Sequence, residues 1–374
     1  MRVVHLSALR DPFRRCGAEL LDAWPTLTAV AGAAAGVGVE VTVVQAGWRD
    51  EVLQRAGVPV HFVAEPGGST LPERLSTGVP LRLMARVRAL RPDVIHFHGL
   101  GFPVPTRIAC RLAPVLVQDH SDRVPPPSRR GLRRWGLARA AGVAFTAREL
   151  AQPFVAAGVL PGEMPVFEVL ESSTRLTPGD VGGARAAAGV HGDPCVLSVG
   201  RLNEGKDPLT VLDAFARAAP RLPDAHLWMA FGDAPMLDAV QARIGANPVL
   251  RERAHLLGRV PHERVQDLCR AADLFVSASR REGSGYAVLE ALACGATPLV
   301  TDIPAHRRIV RGGAVGGLFP PGDAGALAGL ILVHAGRDRD AARVAARGHF
   351  ERHLSFEAVG RELRQAYEQL ARRP

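Results

Sequence analysis

The chain reads as two doubly wound α/β domains of similar size, each a parallel sheet covered by helices. Three observations predict this. Short apolar runs rich in Val, Ile, Leu and Phe recur along the 374 residues, separated by segments with helical spacing, the alternation that builds parallel sheets. Several of these runs end in glycine or polar residues, as strands do where ligands meet the carboxyl edge of such a sheet. The series is interrupted once, between 176 and 193, by a stretch rich in Gly, Pro and Ala that predicts an interdomain linker.

Residues 1–9 predict the first strand, followed by a loop carrying Arg14, Arg15, Cys16, Gly17, Ala18 and Glu19 and by an Ala-rich helix reaching Ala35. Segments 39–44 and 60–63 are strands by their β-branched content. Segment 81–90 repeats apolar residues at helical spacing until Pro92 stops it. Segments 93–99, 115–120 and 143–147 are three more strands, and Gly17, His98 and His120 fall at the carboxyl edge. Beyond the linker, strands are expected at 195–199, 225–230, 255–257, 272–277 and 298–300, with helices such as 208–219 and 261–271 between them. An amphipathic helix over 356–372 is suited to packing back on the first domain. The expected divisions are therefore 1–175, 176–355 and a final segment 356–374.

Composition narrows the function. No run of about 18 apolar residues predicts a membrane span, and the strand-like Val3-Val4-His5-Leu6 leaves no room for a basic-then-apolar leader. The five cysteines (16, 110, 195, 269, 294) contain no C-x-x-C pair, which fits reduced thiols in a cytoplasmic protein and not a zinc site. A net charge of +9 attracts anions, yet no recognition helix or zinc knuckle is evident and aromatics make up only 5%, which argues against nucleic acid. Phosphorylated small molecules or an anionic membrane surface fit better.

Lys206 is the only lysine among 46 basic residues, so a compact ammonium is expected to matter there. It lies in Gly200-Arg201-Leu202-Asn203-Glu204-Gly205-Lys206-Asp207-Pro208, after a strand and before a Pro-initiated helix. Arg201 and Lys206 are therefore placed to clamp a diphosphate and neutralise it as it leaves. The second constellation is Glu282-Gly283-Ser284-Gly285-Tyr286, opening into a helix that carries Glu290. Glycines allow close backbone approach, and the helix start favours an anion. The two carboxylates are spaced to meet a sugar at one end of a ligand and ribose hydroxyls at the other. Gly232-Asp233-Ala234-Pro235 and Gly258-Arg259-Val260 are further loops expected to line a nucleotide pocket. The plainer reading of each feature is a solvated charge beside a capped helix.

In this order the motifs resemble the retaining GT-B glycosyltransferases, the large group 1 or family 4 type that includes bacterial mannosyl- and glucosyltransferases and sucrose synthase. The resemblance is ordered over 195–325 and weaker over 1–175. It implies two facing Rossmann-like domains with the C-terminal helix crossing back, an acceptor-side first domain and a nucleotide-sugar-binding second domain. It also implies closure between them, no metal and no cofactor. It assigns the donor diphosphate to Arg201 and Lys206, the donor sugar to Glu282 and the backbone of Gly283, Ser284, Gly285 and Tyr286, and the ribose to Glu290. Val260 would lie against the base, Gly17 near the phosphate and His120 beside the reacting sugar. His96 and His98 compete with His120. Their His-x-His spacing suggests a metal, but no third ligand is evident and a structural role is preferred.

The chain departs from the family's pattern in three places. Cys16-Gly17 replaces two glycines, Ser284 stands where an aromatic is usual, and Glu171-Ser172-Ser173-Thr174 replaces Asn-Gly-Val-Asp near the domain junction. The expected activity is transfer of a hexose-type sugar from a nucleotide diphosphate donor, UDP first, to a small-molecule, lipid-linked or glycan acceptor. A basic helix over 129–139, anchored by Leu132, Trp135 and Leu137, offers a peripheral contact with the inner membrane face, although an arginine-faced helix covering the sheet is the simpler account. The rivals are a glycoside phosphorylase of the same fold and a non-catalytic sugar-nucleotide-binding scaffold. A dehydrogenase lacks the G-x-G-x-x-G it needs after the first strand.

Overall fold

A computed structural model describes residues 1–65 and 79–372. The chain forms two compact units, Met1–Ser173 with Phe356–Pro374, and Thr174–Ser355. The sheet of the first unit contains β1 (Arg2–Ser7), β2 (Glu40–Gly47), β3 (Glu51–Arg55), β4 (Val58–Ala64), β5 (Val94–His98), β6 (Val115–Gln118), β7 (Gly142–Phe145) and β8 (Val166–Glu168), in the order β3-β4-β2-β1-β5-β6-β7-β8. All pairs are parallel except β3 with β4. That hairpin escapes the sequence reading because its turn is Ala56-Gly57, both at positive φ (51° and 76°), and the first position lacks the usual Asn or Asp. Register sets His5 beside His96 and His98 beside Gln118, so the polar residues of β1, β5 and β6 share one sheet face.

The expected loop over 14–19 is corrected. A short helix begins at Gly17 and ends at Ala23, and a second runs Thr26–Gly36, broken from the first at Pro25, which has no N–H to continue the ladder. The helix Phe356–Ala371 packs in this first unit, where Gly360 lies so close to the Thr26–Gly36 helix that a Cβ would stand 2.2 Å from the Ala33 carbonyl oxygen. Tyr367, Phe97 and Phe145 are its largest fully buried side chains, each aromatic worth about 1.5–3 kcal/mol of burial. The basic helix spans Pro127–Leu137. Leu137 is fully buried and is not a surface anchor, whereas Leu132 and Trp135 are exposed. Gly136 lets that helix lie against Pro103, where a Cβ would meet backbone at 2.4 Å.

The second unit carries β9 (Cys195–Val199), β10 (His226–Ala230), β11 (Ala254–Gly258), β12 (Leu274–Ser277), β13 (Thr297–Thr301) and β14 (Gly317–Phe319), ordered β11-β10-β9-β12-β13-β14 and parallel throughout. Strand order reverses between β9 and β12, the switch point where such sheets bind ligands. The stretch expected as linker contains a helix, Val181–Ala188, capped by Asp180 and ended by Gly189 at φ 64°. Its cap residues were visible in sequence, but its small side chains gave no apolar stripe.

Candidate functional site

In the second unit the loop after β9 and the loop after β12 flank a cleft of about 320 Å³ whose walls include Gly200, Arg201, Lys206, Pro208, Ser277 and Ser279. Three contacts fasten the loops together. The Arg280 N–H donates to the Gly205 carbonyl at 2.8 Å, and the Arg280 guanidinium meets Asp207 at 2.7 Å. Lys206 Nζ forms an ion pair with Glu282. Asp207, at φ 49°, also caps the helix Pro208–Ala218 through the Thr210 N–H. Lys206 and Glu282 are partly buried. Arg201 is exposed and makes no hydrogen bond or ion pair among the described residues. The cleft thus holds one cation paired to a carboxylate and one left open.

The glycine turn behaves as its residues dictate. Gly285 caps the helix Tyr286–Cys294 at φ 61°, and a Cβ there would lie 2.7 Å from Ile309 Cδ1. Ser284 is buried, Gly283 half-buried and Tyr286 exposed. His306 packs under this turn. Its Nδ1 meets Thr301 Oγ1 at 3.1 Å and the Thr301 carbonyl at 3.0 Å, while Nε2 is buried with no hydrogen-bond partner. Burial pushes His306 down to about 4, so the ring is neutral and the unsatisfied nitrogen is a polar group facing the turn. Glu290 sits further along the same helix. Burial raises its pKa, and its nearest basic group among the described residues is His262 at 3.9 Å. Val260, half-buried, follows the end of β11.

In the first unit His120 is not isolated. Its Nδ1 meets Glu171 at 2.7 Å and its Nε2 meets His98 Nδ1 at 3.0 Å. His98 Nε2 meets His5 Nδ1 at 3.0 Å, His5 Nε2 meets the Tyr367 hydroxyl at 2.9 Å, and that hydroxyl meets His96 Nδ1 at 2.7 Å. The absence of a third ring beside His96 and His98 is corrected: His5 supplies it. Their nitrogens, however, are already bonded to one another, to Tyr367 and to His120. At the far end His96 Nε2 and Gln118 Oε1 are both buried without a partner of good geometry, although the two side chains interact.

Donor and acceptor accounting favours one direction for this chain. If each ring carries its proton on Nδ1, two lone pairs, on His96 Nε2 and Gln118 Oε1, face each other. In the opposite direction His96 Nε2–H faces the Gln118 oxygen, every link is a donor–acceptor pair, and His120 carries protons on both nitrogens against the Glu171 carboxylate. The electrostatics agree. Burial, the largest single influence, lowers His120, but Glu171 together with Asp122 and Asp119 outweighs it and the net shift is upward, while burial holds His96 and His98 far down and His5 at about 3. Asp119, buried beside Asp122 and Glu171, is pushed up to about 7. Both ring nitrogens of His120 are therefore occupied.

Gly17 starts its helix at φ 52°, and the Glu51 carboxylate lies where its Cβ would be, 2.6 Å away. An arriving phosphate at Gly17 must displace that carboxylate. Glu171, His5, Gln118, Tyr367 and His306 carry no role in the sequence reading. They lie far apart along the chain: β1–β5–β6 register and the final helix bring His5, Gln118 and Tyr367 into the chain that ends at His120, and the β6–β7–β8 pairings bring Glu171, which follows β8.

Residues 184–338 match the family described as Glycosyl transferases group 1, and residues 26–167 match Glycosyltransferase Family 4. The phosphatidyl-myo-inositol mannosyltransferase of Mycobacterium tuberculosis is 28% identical over 297 residues, covering 75% of this chain and 74% of that one. The D-inositol 3-phosphate glycosyltransferase of Nocardia farcinica is 32% identical over 180 residues, 46% of this chain and 40% of its own. A solved glycosyltransferase from Rickettsia africae is similar over 100% of both chains, with TM-score 0.73 and 16% identity. HepE of Anabaena, solved with UDP and glucose, is similar over 99% of this chain and 100% of its own, with TM-score 0.68 and 20% identity. At those identities the structures speak for the fold. With two family matches in tandem along one pair of parallel-sheet units, the chain belongs to the GT-B glycosyltransferases of the group 1, family 4 type.

Proposed function

We propose that the protein moves a hexose-type sugar from a nucleoside diphosphate donor to an acceptor hydroxyl, with retention at the anomeric carbon and without a metal ion. The observation that carries this reading is the Lys206–Glu282 pair beside the unpaired Arg201 at the switch-point cleft. In the reaction the anomeric carbon–phosphate oxygen bond breaks with its electron pair on the diphosphate, and the acceptor oxygen bonds to that carbon and gives its proton to a departing diphosphate oxygen. Charge grows on the diphosphate as positive charge grows on the sugar ring. Arg201 and Lys206 answer the first, Glu282 the second. An incoming diphosphate competes with Glu282 for Lys206, so donor binding itself releases the carboxylate toward the sugar. Glu290, half-buried and short of partners, suits ribose hydroxyls, and Val260 suits the base. UDP is the first base to test, supported by the UDP bound in the Anabaena neighbour.

A lipid-bearing acceptor is supported by the name of the mannosyltransferase relative and by the exposed Leu132 and Trp135 on an arginine-rich helix. Among the described residues no helix is long and apolar enough to cross a membrane, so the contact proposed is peripheral, on the cytoplasmic face. The deciding experiment is thermal protection by a panel of nucleotide sugars, since a ligand that binds the native state raises the unfolding temperature. Protection by one nucleoside diphosphate sugar and by its free nucleoside diphosphate is expected, with transfer unaffected by EDTA. Protection by inorganic phosphate or hexose phosphate alone would transfer the assignment to a phosphorylase.

A further inference from the structure

We propose that His191, His226 and His255 form a binding site for a divalent transition-metal ion of the zinc–copper class, outside the donor cleft. The three rings come from three backbone segments and their ligand nitrogens lie within 4.8 Å of one another. His226 Nδ1 and His255 Nε2 are 2.9 Å apart, close to the separation of about 3.3 Å between neighbouring ligands on a tetrahedral ion with metal–nitrogen bonds near 2.05 Å. Register explains two of the rings: Trp228 of β10 pairs with His255 of β11, and His226 lies two residues before Trp228 on the same face. The third ring is held by its loop. Trp228 Nε1–H donates to the His191 carbonyl at 2.8 Å, Asp193 N–H to Asp224 at 2.7 Å, and His226 N–H to Pro194 at 3.3 Å. Gly192, at φ 130°, permits that approach, since a Cβ would meet the His226 nitrogen at 2.9 Å.

Three imidazoles without a carboxylate among them select borderline transition metals over magnesium or calcium. His191 is exposed, leaving a coordination position for water, and Asp224 and Glu252 lie near enough to His226 to offset the added charge. In the metal-free protein His226 Nδ1 and His255 Nε2 share a single hydrogen bond at 2.9 Å, which coordination to a common ion replaces. The buried trio His5, His96 and His98 meets the same spacing, but its nitrogens are bonded within the chain that ends at His120. The proposed site sits toward the amino ends of β10 and β11, with His226 about 13 Å along its strand from Ala230 at the edge that carries the donor cleft.

Trp228 stacks on His255 at 4.0 Å between centroids and serves as a reporter. The test uses the full chain, stripped with EDTA and desalted, then titrated with Zn²⁺ by calorimetry and with Cu²⁺ by tryptophan fluorescence. A single saturable zinc site is expected, with a rise in unfolding temperature on binding. Copper quenching should lose its saturable part in Trp228→Phe. His191→Ala, which removes an exposed ring and leaves the core untouched, should weaken zinc binding about tenfold or more, and His191→Ala with His255→Gln should abolish it. Sugar transfer should be unchanged in these variants. Absence of saturable zinc binding in the wild-type chain overturns the proposal. So does binding that survives the double variant, or that disappears in His98→Asn instead.

Discussion

In the first unit His120, His98, His5, Tyr367 and His96 are bonded end to end inside the protein, whereas in the second Arg201 and Lys206 line an open cleft, Lys206 joined to Glu282 as an ion pair and Glu290 further along the helix that follows. Both sets lie on doubly wound parallel sheets. Burial makes the difference. In the first set it lowers the pKa of His5, His96 and His98, while Glu171 and the neighbouring aspartates raise that of His120 against it. In the second, Arg201 is exposed and Lys206 and Glu282 are only partly buried. On the proposed reading the same architecture encloses a polar chain in one unit and offers open charges to an anion in the other.

The largest effect tests the second half of this contrast. Lys206→Ala should lower turnover roughly a hundredfold or more, the scale for losing one stabiliser of a developing anion, with little change in unfolding temperature. Steady-state kinetics beside a melting curve decide it, and unimpaired turnover would remove Lys206 from the site. Next comes Glu282→Gln. It should depress kcat while tightening free nucleoside diphosphate by about three- to tenfold, because Lys206 loses its competing carboxylate. Glu290→Gln should instead weaken donor and nucleoside diphosphate alike with kcat less affected. Calorimetric titration of both variants separates the two glutamates, and the reverse pattern would exchange their roles.

Tyr367→Phe tests the first half. It cuts the chain and leaves His5 and His96 each short of a partner, at a cost of about 1–3 kcal/mol. Because the raised pKa of His120 contributes stability that is present below about pH 6.5 and lost as pH rises through its folded value, the variant's pH dependence should flatten in that window. Imidazole NMR should show His120 titrating at lower pH than in the wild type, and an unchanged titration would disconnect Tyr367 from it. The smallest effect concerns Asp119. A carboxyl raised to about 7 when folded costs increasing stability as pH climbs from about 4 to 7. Asp119→Asn should therefore gain on the wild type, by a few degrees, between pH 4.5 and 8. Melting curves at the two ends of that range check the sign.

How much of this was legible follows the same division. The donor-side groups are local: Arg201 and Lys206 share one loop, Glu282 and Glu290 one turn and helix, so spacing alone brings each pair together. The alternation of strands also revealed both sheets, missing β3, whose turn lacks an Asn-Gly signal, and β8 and β14, each only three residues long. The chain behind His120 was not legible because each link joins different elements. Glu171 was visible only as a departure from the family's pattern, and its role emerges when β6 places His120 beside it. Tyr367 looked like one more apolar position on an amphipathic helix, since nothing local marks its hydroxyl as the bridge between His5 and His96.

The placement of Tyr367 also bears on the order of events during synthesis. Residues 174–355 form a unit of their own, inserted between the two pieces of the first. A ribosome therefore delivers His5, His96 and His98 long before the helix that covers them. Until Phe356–Ala371 emerges, Ala33 lacks the close helix partner that Gly360 supplies, and three imidazoles that end up dry are bathed in water. The intervening unit is complete first and can mature without waiting, as domains do when they fold as units. The first unit is thus the last to close, and a stop codon at position 356 should yield a chain whose second unit resists protease while its first is cut.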